Sequence, residues 1–143
     1  MIFLVDFQCR LGHKMKKLMD HRILVEKAKG NWDIAEDWAK ESDYDSAADR
    51  YYYSVLQLVL SYAVRKRVPE LEKYESQRSG NTVHFLMSLV VGRISPCYRR
   101  AMLELYRIRR EADYRSSSVD RDDLDDVLDD VRKLKGEIEA LVA

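Results

Sequence analysis

Apolar residues recur every three or four positions along most of this chain, the spacing that gives an α-helix one buried face. Val25, Ala28, Trp32, Ala35 and Ala39 form the first such stripe, within a helix expected over Lys14–Glu41. Gly30 falls inside it and costs about 1 kcal/mol relative to alanine, which allows a local bend or a split into two helices. Ser42-Asp43-Tyr44-Asp45 has the Ser-x-x-acid form of a helix start, because the serine oxygen accepts from free backbone N–H groups. A second helix follows to about Arg67, with Ala47, Ala48, Tyr51, Tyr52, Val55, Leu58, Val59 and Tyr62 facing inward. Val68-Pro69 ends it, and the polar stretch from Glu70 to Thr82 reads as a loop holding about one turn of helix. The third helix begins near Asn81 or Thr82 and carries Phe85, Leu86, Leu89 and Val90. Ser95-Pro96 restarts the chain, since proline at the first helical position gives up an N–H that has no partner there. The fourth helix presents Ala101, Met102, Leu105, Ile108 and Ala112. The fifth, from Val119 or Asp120, presents Leu124, Val127, Leu128, Val131, Leu134, Ile138 and Leu141.

Composition agrees with this pattern. With 143 residues, 5 glycines and 2 prolines, the chain has few helix breakers and enough length to bury a core without disulfides. The expected fold is all-α: an up-and-down four-helix bundle with an additional short helix, over residues 19–143. Residues 1–18 lack clear periodicity and read as an N-terminal arm or extension, with Met15 and Met19 as alternative starts. Met1–Val5 is apolar, but Asp6 ends the run far short of a signal-peptide core or a membrane span, so a cytoplasmic protein with no membrane partner is expected. Cys9 and Cys97 belong to no Cys-x-x-Cys or Cys/His grouping and read as reduced thiols. His13 and His21 lie eight apart with no carboxylate partner pattern, so no metal site is expected there, and with no P-loop or GxGxxG motif in the chain no cofactor is expected.

Formal net charge is zero, which removes any global electrostatic case for nucleic acid. Locally the balance shifts. From Arg93 to Arg115, seven arginines stand against Glu104, Glu111 and Asp113, whereas from Ser116 onward four basic residues face nine acids.

Two strings mix small residues, arginine and tyrosine where a core stretch would carry leucine and valine: Ala47-Ala48-Asp49-Arg50-Tyr51-Tyr52-Tyr53-Ser54 and Arg109-Arg110-Glu111-Ala112-Asp113-Tyr114-Arg115. With the small-and-aromatic helix and acidic turn over Ala28–Asp45, Ala48-x-Arg50-x-Tyr52-Tyr53, Thr82-x-His84 and Arg109-x-x-Ala112-Asp113-Tyr114, the chain from Val25 to Val142 resembles the HEPN family. That resemblance implies a small helical domain of prokaryotic nucleic-acid defence or toxin–antitoxin systems, acting as a homodimer and commonly paired with a minimal nucleotidyltransferase. It also implies RNA or a nucleotide as ligand, and makes Tyr114 a conditional target for modification by such a partner. Family ribonucleases use an arginine followed four to six residues later by histidine; here Asp113-Tyr114 stands in that place.

The chemistry explains why that replacement matters. Metal-independent RNA cleavage needs a base for the 2′-OH proton and a cation for the phosphorane, roles that histidine and arginine fill near neutral pH. An ionised aspartate repels phosphate, and a tyrosine titrating near pH 10 is a poor base. The favoured expectation is therefore a module that binds a nucleotide, nucleic acid or protein partner, with Arg50, Tyr53, Arg109 and Arg110 as ligand- or phosphate-binding residues. A ribonuclease using Arg109, Asp113, Tyr114 and His84 is the alternative, and a non-catalytic helical adaptor is the third reading. Arg109 and Asp113, four apart, also suit a plain ion pair on the helix. His84, six residues after Arg78, reads first as a helix-start residue, and Arg50 as a surface ion-pair residue. Tyr51, Tyr52 and Tyr53 spread around most of a helical turn and cannot share one face, so at least one is expected to point to solvent or a second subunit.

Overall fold

A computed structural model describes residues 20–76, 80–114 and 119–143, the side chains of 74–76, 80–82 and 114 excepted. Six helices account for nearly all of the described residues, which contain no strand: α1 His21–Lys40, α2 Tyr44–Lys66, α3 Glu70–Ser76, α4 Gly80–Ile94, α5 Pro96–Tyr114 and α6 Arg121–Val142. The fold is an all-α bundle. No helix among the described residues is long and apolar enough to cross a membrane.

Helix α2 is the axis, and it packs against α1, α4, α5 and α6. Every residue from Tyr51 to Ser61 is buried, so neighbours enclose this helix on all sides instead of covering one stripe. The expectation that one tyrosine of the triplet points outward is therefore corrected: Tyr51, Tyr52 and Tyr53 are 0%, 1% and 2% exposed. Three directions around the helix are three directions into the core.

The helix ends explain several boundaries. Asp20 caps α1 by accepting from the Arg22 backbone N–H at 2.9 Å, so the described helix starts at His21; residues 14–19 of the expected helix lie outside the described ones. The helix runs unbroken through Gly30. Ser42 does not cap α2; Asp43 does, accepting from Ser46 N–H at 3.3 Å. Ser42 instead closes α1 from a left-handed conformation (φ 62°), with its N–H on Ala39 O and the Asp43 N–H on Trp38 O. This double closure is the usual work of glycine, and a side chain in that conformation costs on the order of 1 kcal/mol.

Beyond Val68-Pro69 the expected loop is more ordered than its polar composition suggests. Helix α3 makes two turns there, and Glu70 binds the Arg93 guanidinium of α4 through Nε at 3.0 Å and Nη2 at 2.9 Å. Asp120 caps α6, and Asp45 of α2 accepts from Val119 N–H at 2.6 Å, fixing where the last helix enters the bundle. Two stripe residues are corrected outward. Phe85 is 57% exposed and Leu141 41%, while Val83, Met87, Val91 and Val142 are buried. The face of α4 is turned because a polar residue, His84, occupies its inner side.

Candidate functional site

The two tyrosine–arginine strings meet. Helix α2 carries Asp49, Tyr52 and Tyr53 to one side, α5 supplies Tyr106, Arg109, Arg110 and Asp113, and α4 adds His84. Arg109 is buried, 3% exposed, in a stripe whose other members are Met102, Leu105 and Ile108. Its Nε donates to Asp49 Oδ1 at 2.8 Å, and its Nη2 reaches the Tyr53 hydroxyl at 3.4 Å and lies 3.7 Å from Asp113 Oδ2. The guanidinium carbon also sits 5.2 Å from the Tyr53 ring centre and 5.5 Å from that of Tyr52. Burial alone would favour loss of its proton, but the Asp49 hydrogen bond and the surrounding negative charge hold its pKa above the ordinary value. Arg109 is a buried cation completed by protein groups, and its expected i,i+4 contact with Asp113 is the longest of them.

His84 is corrected from a helix-start residue to a core residue. It lies at the fifth position of α4, is 6% exposed, and stacks on Tyr106 with ring centres 4.3 Å apart. Its Nδ1 is hydrogen-bonded to the Tyr52 hydroxyl. Burial, then the positive charge of Arg109 and Arg110, lowers the His84 pKa to about 4. Burial raises the Tyr52 hydroxyl well above 10, so the phenol keeps its proton and donates it to Nδ1. The neutral imidazole therefore carries its own proton on Nε2. Tyr53 is likewise pushed up to about 12 by burial, so neither it nor Tyr52 ionises near neutral pH.

The rim is more open. Arg110 is exposed and lies over the Tyr106 ring at 5.8 Å; Tyr106 is half-buried, and Asp49 and Asp113 retain about a third of their side-chain surface. Arg50 turns toward the other side of α2. It is half-buried on the α1 side, where it donates to Asn31 Oδ1 at 2.9 Å and lies over Trp38; Asn31 in turn donates to buried Gln57 at 2.8 Å. The half-burial of Arg50 corrects the expectation of a surface residue. Tyr114 ends α5, and its side chain lies outside the described ones, as does Arg78.

Of the expected residues, Tyr53, His84, Arg109, Arg110 and Asp113 come together, while Arg50 reaches toward α1 and acts on Tyr53 through its charge. Asp49 and Tyr106 were missed as site residues. Asp49 adjoins the arginine already singled out, and Tyr106 precedes Arg109 by one helical turn, so spacing alone was enough to flag both. Among the described residues no three His, Cys, Asp or Glu side chains are grouped to hold a metal ion. No protein-family model, curated protein or solved structure matches the chain.

Proposed function

We propose that this chain is a HEPN-like binding module, the helical component of a nucleotidyltransferase-linked toxin–antitoxin or defence pair, and that it acts by engaging a nucleotide, nucleic acid or partner without cutting RNA. The burial of Arg109 carries the reading. A catalytic arginine must present N–H groups to a phosphorane, whereas this guanidinium is 3% exposed and spends its contacts on Asp49, Tyr53 and Asp113. It holds α5 against α2. Recognition falls to the rim, where Arg110 and Tyr106 offer a cation and an aromatic face.

One observation favours the ribonuclease reading as second choice. His84 and Arg109 both contact the Tyr52 ring, supplying a neutral imidazole and a cation from two helices. Against it stands the burial of both groups, which leaves little room for a ribose beside either.

The binding reading is tested by thermal unfolding of the purified protein titrated with nucleotides and with a small nucleotidyltransferase encoded beside it. The expected result is a melting temperature that rises with ligand concentration, as selective binding to the folded state requires. A flat response to all of them overturns it.

A further inference from the structure

A second feature lies on the other side of α2, away from His84 and Arg109. Where the end of α1 and the starts of α2 and α6 come together, an open cleft of about 300 Å³ is lined by eleven residues from all three helices and the intervening turn. That volume is at the lower end of small-molecule sites. Ala39 and Tyr44, both half-buried, give it a small apolar and aromatic face, backed by the buried Leu124 and Leu128.

The charged groups favour one sign of ligand. Glu36 and Asp125 are the only carboxylates in the lining, against Lys40, Arg121 and Arg132. Glu36 is already answered. It accepts from Tyr51 OH at 2.8 Å, from Trp32 Nε1 at 3.1 Å and from Arg132 Nη2 at 3.5 Å. Asp125 faces Arg121 at 3.4 Å. Each arginine thus spends one long contact and keeps further N–H groups, Arg121 being largely exposed and Arg132 about half so, and Lys40 has no ion pair among the described residues. The donors left over outnumber the acceptors left over.

Ser42 is an independent pointer to this place. It lines the cleft from the left-handed position that glycine fills at least cost, so the turn gives up stability to keep a serine there.

We propose that this cleft binds a small organic anion, a phosphate ester or carboxylate carried on an apolar body. The anionic group meets Lys40, Arg132 and the Ser42 hydroxyl, and the body lies on the half-buried Tyr44 and Ala39. Neither the phosphate nor the apolar part is sufficient alone, because the charged groups are solvated and the apolar wall is small.

The test is calorimetric titration of the full chain with phenyl phosphate, benzoate and inorganic phosphate. At least one of the two aromatic anions is expected to saturate with a dissociation constant in the millimolar range or tighter, which is modest for ligands of that size. Inorganic phosphate is expected to bind several-fold more weakly. Phenyl phosphate ahead of benzoate identifies a phosphate-ester site, and the reverse a carboxylate site. Lys40→Gln and Arg132→Gln are each expected to weaken binding by about fivefold or more, with Lys133→Gln, outside the cleft, leaving it unchanged. Ser42→Gly is expected to raise the melting temperature while weakening binding. No saturable binding of either aromatic anion, or binding indifferent to both Lys40→Gln and Arg132→Gln, overturns the proposal. Lys40 is exposed, so that variant folds whatever Arg132 contributes to the bundle.

Discussion

Tyr51 and Tyr52 are neighbours in sequence and equally buried, yet the structure answers their hydroxyls in opposite ways. Tyr51 donates to a carboxylate, Glu36, which also receives Trp32 and lies beside an open cleft. Tyr52 meets a neutral imidazole in a sealed cluster of rings with a buried guanidinium against it. On the first side, charge stays in contact with water and each ion pair is replaceable. On the second, a cation is held in the core by a few specific partners, and removing any of them leaves a buried polar group unsatisfied. The sealed side should therefore govern stability, and the open side should govern little of it.

The sharpest way to break that comparison is to remove the buried cation. Arg109→Ala is expected to cost about 3–5 kcal/mol, because it empties a core site and strips Asp49 and Tyr53 of their partner. Urea denaturation measures it, and Arg109→Met should recover a substantial part by refilling the volume. Arg132→Ala, the matching change on the open side, should cost about 1 kcal/mol or less. Equal costs would mean that Arg109 is as replaceable as a surface residue.

Acid should act on the sealed side through His84. Its folded pKa, about 4, lies below its unfolded value near 6.5, so between these the unfolded chain binds the extra proton. Stability from the neutral imidazole is complete above about pH 6.5 and lost progressively toward pH 4. The loss is on the order of 3 kcal/mol. Comparing urea midpoints across that window, His84→Gln should show a shallower fall than the parent chain. Identical slopes would contradict the assignment of this pH dependence to His84.

The smallest contrast is between the hydroxyls themselves. Tyr52→Phe leaves the buried Nδ1 of His84 without a donor and should cost about 1–3 kcal/mol. Tyr51→Phe leaves Glu36 with Trp32, Arg132 and solvent, and should cost about 1 kcal/mol. The reverse order would overturn the account of the two sides.

Much of the bundle was legible because its signals are local. The stripe of α6 and its start near Asp120, the Ser95-Pro96 restart and the Val68-Pro69 stop depend on residues within a turn or two of each other. Where sequence reading fell short, the deciding contact was distant. The enclosure of α2 needs four other helices in place, so three adjacent tyrosines suggested an exposed side chain that does not exist. His84 was read from its place near the start of α4, whereas its environment is set by Tyr52, 32 residues earlier, and Tyr106, 22 later. Ser42 matched a capping pattern, yet Asp43 took the cap and Ser42 closed the preceding helix, a choice fixed by the chain's direction at the turn. The arginine–tyrosine strings meet in the bundle, but adjacency along the chain could not tell that Arg109 points into the core while Arg110 does not.

The claim that these strings form a core lock and a binding rim, with no cleaving centre, is tested most directly by incubating the folded chain with single-stranded RNA at neutral pH in EDTA. The account predicts intact RNA, with the parent chain and His84→Gln indistinguishable. Cleavage by the parent chain that disappears in His84→Gln, at unchanged helical content, would contradict it.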